Sequence, residues 1–295
     1  MQDVIVIGGS YAGMAAALQL LRARRKVLII DAGERRNRFA SHSHGFLGQD
    51  GVDPAVIHLR ARDQMTAYPT LEWIDGRVIA ASGRKDDFVV ETARGTQHRG
   101  RRLLFATGVR DELPAIPGLA DRWGRSVFHC PYCHGYELNE GRIGVIGTGP
   151  MSIHQAQLLP EWGETTLFTN GVTPLDAEAE ADLGRRGVTV EQHPIAGIEA
   201  EAEVVLTDGR RLHFAGLFTA PRCTPTSDLA AKMGCRPIET PMGVQIATGE
   251  TKETDLPGVF ACGDAARVPH SVSLAVGDGA WAGAQLHRSL VWPEG

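Results

Sequence analysis

The chain has 295 residues, which at roughly 150 residues per domain predicts two domains. It is 43% apolar and 22% charged, an ordinary globular composition that excludes a disordered or fibrous protein. Thirty basic against thirty-five acidic side chains leave a net charge of -5, so nothing electrostatic points to nucleic acid or an anionic membrane as partner.

In chain order, the first signal is an apolar run at Asp3–Gly8 (DVIVIG), followed by Gly9, Ser10, Tyr11, Ala12 and Gly13. A helical stretch with Ala12–Leu21 as its apolar part comes next. It contains Gln19 and falls far short of a membrane span. A second run, Lys26–Ile30, ends at Asp31. Because the first strand begins by Asp3, no basic segment with an apolar core precedes it, and the chain reads as soluble and cytoplasmic. Far downstream the pattern returns: Arg142–Gly147 (RIGVIG), Thr148, Gly149, Pro150, a helical stretch to Trp162, and a run at Thr166–Phe168. Strand, glycine turn, helix and strand form the opening unit of a dinucleotide-binding fold. Two copies predict two such domains.

Asp111–Asp121 (DELPAIPGLAD), with two prolines and a glycine, cannot be a continuous helix or central strand and marks the boundary. A second boundary is expected near Arg236–Gly243, again with two prolines. After it come Pro257–Asp264 (PGVFACGD) and a helix-like tail, Ser271–Leu290. That tail is too small to stand alone, so it returns to the first unit. The predicted fold is therefore α/β with two Rossmann-like domains, the second (114–238) inserted into the first (1–113 and 239–295).

In G-x-G-x-x-G the first glycine makes the turn, the second admits a pyrophosphate and the third lets helix and strand pack closely. The first unit reads Gly8, Ser10, Gly13, with a small Ser in the middle. Asp31 lies 23 residues after Gly8, where a carboxylate accepts bonds from ribose hydroxyls. The plain alternative is a βαβ turn with a capping Asp. The second unit reads Gly147, Gly149, Ser152, and the same offset lands on Asn170. Neither a carboxylate for an NAD ribose nor an Arg for an NADP phosphate stands there. Arg185 and Arg186 read as the solvated end of a helix.

Five cysteines without an export leader argue against structural disulfides. Only Cys130 and Cys133 are close together; Cys223, Cys235 and Cys262 stand alone and read as buried small hydrophobes. Cys130-Pro131-Tyr132-Cys133 fits either zinc or a dithiol/disulfide cycle. Zinc needs four ligands, and no second pair exists. His129 and His134 sit on the same short loop and would strain a tetrahedral site, so no metal is expected. Redox use needs a thiolate, whereas a thiol of pKa ~8.5 is only about 3% ionised at neutral pH. A helix start and flanking histidines are expected to lower that pKa. His134, directly after Cys133, is the acid/base candidate, unless it is a surface histidine in a loop.

Together these pieces resemble the low-molecular-weight thioredoxin reductases, a flavoprotein family, over essentially the whole chain. The matching elements are the N-terminal fingerprint with Asp31, Phe105-Ala106-Thr107-Gly108, the Cys130–Cys133 pair, Gly258–Asp264 (GVFACGD) and the segment after Ser271 (SVSLAVGDGAWAG). The resemblance implies FAD in the first domain, held by Gly8, Ser10, Tyr11, Ala12, Gly13, Asp31, Ala106, Thr107, Gly108, Gly263 and Asp264, with Leu274 and Ala275 beside the flavin ring. It implies a homodimer and a redox pair with Cys133 against the flavin and Cys130 facing substrate.

Two departures shift the resemblance within the family. The NADPH-reading arginine cluster is replaced by Phe168-Thr169-Asn170-Gly171, which argues against NADPH, and His134 stands where thioredoxin reductases carry Asp. With His42-Ser43-His44-Gly45 and Leu47–Gly51, the chain looks more like the gliotoxin- and holomycin-type dithiol oxidases. Those enzymes close a disulfide in a small-molecule dithiol and pass the electrons through FAD to oxygen. His42 and His44 then line the substrate cleft, the alternative being that they cap or pack a loop. Two other functions stay open: a reductase that drives a disulfide or thioredoxin-like protein from NADPH or another donor, and a non-enzymatic redox sensor.

Overall fold

The computed structural model describes residues 1–293. Its first sheet has seven strands. β1 (Gln2–Ile7), β2 (Val27–Asp31), β3 (Leu71–Asp75), β4 (Val78–Arg84), β5 (Asp87–Thr92) and β6 (Gln97–Phe105) lie in the order β3-β2-β1-β6-β5-β4. β1 is parallel to both neighbours, with Val4 opposite Val27 and Arg102. Val4, Ile5 and Val6 are fully buried, the continuous apolar run expected of a strand covered on both faces.

The strand Val259–Ala261 joins β6 in parallel, with Ala261 opposite Phe105. The C-terminal helix Val272–Val291 then runs against α1 (Tyr11–Arg22). This crossing is tight: a Cβ on Gly279 or Gly283 would lie 2.2 or 2.3 Å from the carbonyl oxygen of Ala12 or Ala16. Only glycine fits there. The tail therefore completes the first unit, and the second is inserted into it.

The second unit is a five-stranded parallel sheet. Its order is Thr189–Glu191, Gly163–Phe168, Glu140–Ile146, Gly216–Thr219, Val127–Phe128. A three-stranded antiparallel sheet, Ile195–Glu199, Glu203–Leu206 and Arg211–His213, packs on it through a core that includes Leu119, Ile198, Val204 and Leu217.

Where the chain crosses between units, outgoing and returning segments pair. Val109–Glu112 runs antiparallel to Arg222–Pro225, with Asp111 opposite Cys223. The prolines at 237 and 241, expected to interrupt structure, instead flank an edge strand, Pro237–Thr240, paired with Gly243–Ile246. Pro237 opens the strand and Pro241 lies in the turn, two places where a missing N–H breaks no ladder.

Arg102 locks the returning helix. It is fully buried, donates to Ser289 O at 2.7 Å and Ser289 Oγ at 3.0 Å, and pairs with Asp86 at 2.9 Å. Arg102→Leu should lower stability by about 3 kcal/mol, because it strands the helix-end carbonyl and leaves Asp86 with fewer cationic partners. Ser289→Ala should cost only about 1 kcal/mol. Urea denaturation followed by circular dichroism measures both, and equal losses would contradict the assignment.

Candidate active site

The first glycine turn is built by close approach. Gly8 has φ +104°, and a Cβ there would lie 2.4 Å from Ala106 O; a Cβ on Gly13 would lie 1.9 Å from Gly8 O. The start of α1 is thereby pressed onto the end of β6. Ser10 is the helix N-cap yet makes no side-chain capping bond, so the first-turn N–H groups face the cavity without a side-chain partner. Asp31 Oδ1 accepts the Gly9 N–H at 2.9 Å. Gly263 joins the same place from the far end of the chain, since a Cβ on it would meet Ala12 Cβ at 2.6 Å.

The redox pair stands on the opposite wall. Cys130 is the N-cap of a short helix, Pro131–His134, and is disulfide-bonded to Cys133 with a Cα–Cα separation of 5.3 Å. Pro131 at the first helical position carries no N–H to leave unpaired. The second unit clamps this loop. Gln155 Nε2 donates to His129 O at 2.7 Å, and Tyr132 meets Trp162 edge-on at 5.2 Å. The His134 ring stacks on Phe128 at 4.2 Å.

Between the two walls lies a cavity of about 220 Å³ that opens to solvent and is lined mainly by apolar surface. Its floor is organised by Arg36. The guanidinium donates to Asp111 through Nε at 3.0 Å and Nη2 at 2.5 Å, and to Asp264 Oδ2 at 3.2 Å; it also meets His270 Nδ1 at 2.9 Å and Cys223 Sγ at 3.5 Å.

Burial holds the half-buried His129 neutral down to about pH 4, reinforced by the Arg36 charge. Burial likewise takes His134 to about 4, reinforced by neighbouring His44. The expectation that flanking histidines supply positive charge to the thiols is corrected: both are neutral imidazoles. Burial pushes the Cys223 thiol up to about 12 and raises the Cys262 thiol as well.

Four buried polar atoms on the cavity wall lack a protein partner among the described residues: Asp264 Oδ1, Thr107 Oγ1, Asn37 Oδ1 and Arg35 Nε. Buried acceptors and hydroxyls without partners are costly, so they call for a polar ligand. Together with the open helix start and the glycine cradle, they fit a group that has both a pyrophosphate and a polyhydroxyl chain, as FAD has.

The second glycine turn is different, because its donors are bonded to the chain itself. Gly149 N–H donates to Thr173 Oγ1 at 3.2 Å and Thr148 N–H to Ser152 Oγ at 2.9 Å. Pro150 opens the helix and has no N–H. Asn170, at the ribose-selecting position, accepts the Ile195 N–H at 3.0 Å. Arg185 and Arg186 pair with Asp182 at 2.9 Å on the solvent side, as the sequence suggests.

Ser10, Tyr11, Ala12, Ala106, Thr107, Gly108, Gly263, Asp264 and Ala275 thus share one cavity with Cys130, Cys133, His134, His42 and His44. Gly8, Gly13 and Asp31 shape the turn beneath it. Leu274 lines a separate open depression with Trp281 and Gln245, because consecutive helical side chains point in different directions. Sequence reasoning missed Arg36, Asn37, Asp111, His129 and His270 as cavity residues. Arg36 sits in a run (Glu34-Arg35-Arg36) that reads as a solvated loop, and nothing in its spacing marks it.

The sequence matches the pyridine nucleotide-disulphide oxidoreductase family over residues 2–279. It is 30% identical to thioredoxin reductase aclD of Aspergillus oryzae, across 99% of this chain and 97% of that one. Among solved structures, an oxidoreductase from Agrobacterium tumefaciens is 57% identical with a TM-score of 0.97, covering 99% of both chains. HlmI is 35% identical with a TM-score of 0.91, covering 98% of this chain and 92% of its own.

The neutral histidines make a stability prediction. Unfolded histidine titrates near 6.5, so below that pH the unfolded chain binds protons that folded His129 and His134 refuse until about 4. Stability should therefore fall as pH drops from 6.5 to 4, by at most about 2 kcal/mol per histidine at pH 5. The double variant His129→Asn/His134→Asn should show a shallower fall in melting temperature between pH 7 and 5. A parallel fall would contradict the burial of both rings.

Proposed function

The chain belongs to the pyridine nucleotide-disulphide oxidoreductases and is a FAD-dependent, thioredoxin-reductase-like enzyme, and from that premise we propose that it oxidises a small-molecule dithiol to its disulfide with oxygen as final acceptor. The observation that carries this reading is the second glycine turn. Its donors are spent on Thr173 and Ser152, and Thr169, Asn170 and Gly171, directly after the strand Gly163–Phe168, are all neutral. A reductase driven by NAD(P)H needs its donor at that turn; an oxidase does not. The cavity beside the disulfide, apolar and set between two walls, suits a small substrate.

We assign 1–113 and 239–295 to the FAD-binding domain and 114–238 to the domain that carries the redox pair. FAD would be held by Gly8, Ser10, Tyr11, Ala12 and Gly13 at the pyrophosphate and by Asp31 at a ribose. Ala106, Thr107, Gly108, Gly263, Asp264 and Ala275 would line the rest of its course. When bound it supplies the two-electron acceptor that returns the reduced cysteines to the disulfide and that oxygen in turn regenerates, with peroxide as product.

The cysteines perform the exchange. A substrate thiolate attacks Cys130 Sγ, the Cys130–Cys133 bond breaks, and the electron pair stays on Cys133 Sγ. The second substrate thiolate attacks the sulfur now bonded to Cys130, closing the product disulfide and releasing Cys130 as a thiolate. His134, neutral and next to Cys133, is assigned to hydrogen-bond that sulfur and exchange its proton.

Mixing the yellow holoenzyme anaerobically with NADPH, then NADH, then dithiothreitol tests the reading. Only the dithiol should bleach the flavin band, and air should restore it. Cys130→Ser and Cys133→Ser should each abolish the bleaching. Rapid bleaching by NADPH would replace this function with the reductase. No turnover with any thiol, disulfide or oxygen would favour a redox sensor.

A further inference from the structure

Oxidising a dithiol requires that each thiol lose its proton for its sulfur to attack, because the thiolate is the nucleophile. The closed Cys130–Cys133 disulfide offers no base for the first of these steps. His134 serves that need poorly: its ring is stacked on Phe128 and held neutral down to about pH 4, so it releases a captured proton too readily to drive ionisation of a thiol.

His44 lines the same cavity but has a different setting. It stands on a fixed loop: Ser43 N–H donates to Val52 O at 2.9 Å, Gly51 N–H to Ser43 O at 2.9 Å, and Ser273 Oγ to Gly45 O at 2.8 Å. Its ring lies against Gly51, where a Cβ would come within 3.9 Å of Cε1. Nδ1 lies near two carboxylates, 3.4 Å from Glu137 Oε1 and 3.6 Å from Asp50 Oδ1. Nε2 has no protein partner among the described residues.

The two carboxylates come from opposite sides. Asp50 belongs to the loop of His44 itself, while Glu137 lies three residues beyond His134 on the redox loop. The other titratable groups that face His44 are His134 and, with ring centroids 6.2 Å apart, His42. A histidine with one nitrogen toward a carboxylate and the other free is the arrangement that orients a general base. Glu137 and Asp50 are themselves exposed, with side chains 42% and 70% accessible, so a captured proton has a path to water.

We propose that His44 is the catalytic base that takes the protons of the substrate's thiols, and that Glu137 is the residue that positions it. This rests on the dithiol-oxidase reading above. For each turnover His44 removes a proton from the first thiol as its sulfur bonds to Cys130, and the Cys130–Cys133 bond breaks with its electron pair on Cys133. The proton passes to water at the cleft mouth. His44 then removes the second proton as the substrate's own disulfide closes and Cys130 departs with its electron pair. The substrate loses two electrons and two protons; the cysteine pair gains the electrons and water the protons.

The test is stopped-flow bleaching of the holoenzyme by dithiothreitol, anaerobically, from pH 6 to 10. In the same mixtures, acid quenching, alkylation and intact mass read the opened cysteine pair directly. His44→Asn should slow both signals about a hundredfold at pH 7. The deficit should vanish by about pH 10, above the ordinary thiol range, where the probe is already thiolate. Glu137→Gln, an exposed change that leaves the fold intact, should lose less and recover over the same range.

A His44→Asn enzyme that keeps the wild-type rate at pH 7, or whose deficit persists undiminished at pH 10, overturns the proposal while leaving the dithiol oxidase standing. Wild-type flavin that dithiothreitol fails to bleach at any pH overturns the oxidase itself, and this base with it.

Discussion

The cavity depends on one half-buried guanidinium. Arg36 comes from the loop after β2, Asp111 and Cys223 from the two segments that cross between units, and Asp264 and His270 from the returning C-terminal stretch. A charge drawn this far out of water is tolerated only when carboxylates surround it, and the fork of Arg36 meets Asp111 with two parallel bonds. The contact fixes the electrostatics around it. Asp111 is held below the usual carboxylate range despite its burial, chiefly by its bonds to Arg36. Burial with the Arg36 charge keeps His129 and His270 neutral. Cys223, though within reach of Arg36, is pushed up to about 12 by burial and by Asp111. The three free cysteines are therefore inert thiols, and reactive sulfur is confined to the Cys130–Cys133 loop.

The features legible in the sequence are those that depend on local backbone demands. Gly8 and Gly13 must be glycine because the turn brings backbone within 2.4 Å of a Cβ position, and such a demand prints itself on the chain as a fixed spacing. The continuous apolar runs of β1 and β2, the CxxC loop and the returning tail belong to the same class. Arg36 does not. Whether an arginine in a charged loop is solvated or buried is decided by Asp111 and Asp264, 75 and 228 residues away. The self-occupied second turn was half legible: Asn170 announced the missing selectivity group, but the plug, Thr173, looks like any loop threonine until the turn folds onto it. Leu274 and Ala275 are neighbours in sequence, and helix geometry alone sends them into different depressions.

The inserted unit keeps its glycine turn because that turn still has structural work. The N–H groups of Thr148 and Gly149 tie the turn to Ser152 and Thr173, and Thr148 Oγ1 ties it to Ala220 O at 2.8 Å. The helix that begins there, Pro150–Leu158, carries Gln155, whose amide holds the carbonyl of His129 beside the first cysteine. Trp162, just beyond it, packs on Tyr132 and lies so near Gly135 that a Cβ there would come within 2.7 Å of the ring. The unit thus positions the disulfide whether or not it recognises a nucleotide. Its nucleotide-selecting side chains can change without disturbing the redox loop, while its sheet and first helix cannot.

The same electrostatics bear on how the disulfide reacts. Thiolate-forming sites commonly lower a thiol's pKa with nearby positive charge. Here the flanking histidines are neutral, the helix at Cys130 spans only Pro131–His134, and Arg36 is matched by two carboxylates. The cavity therefore offers little to stabilise an anionic sulfur in the ground state. For the dithiol substrate proposed above, its apolar lining favours entry in the neutral form over the charged one, since leaving a thiolate in such surroundings carries a desolvation cost. A site that admits its substrate protonated must remove the proton in place, at the moment of attack. That requirement separates two tasks that one histidine cannot combine: a neutral ring packed against the cysteine loop, and a base near the mouth with carboxylates behind it and water beyond. His134 and His44 are arranged in those two settings.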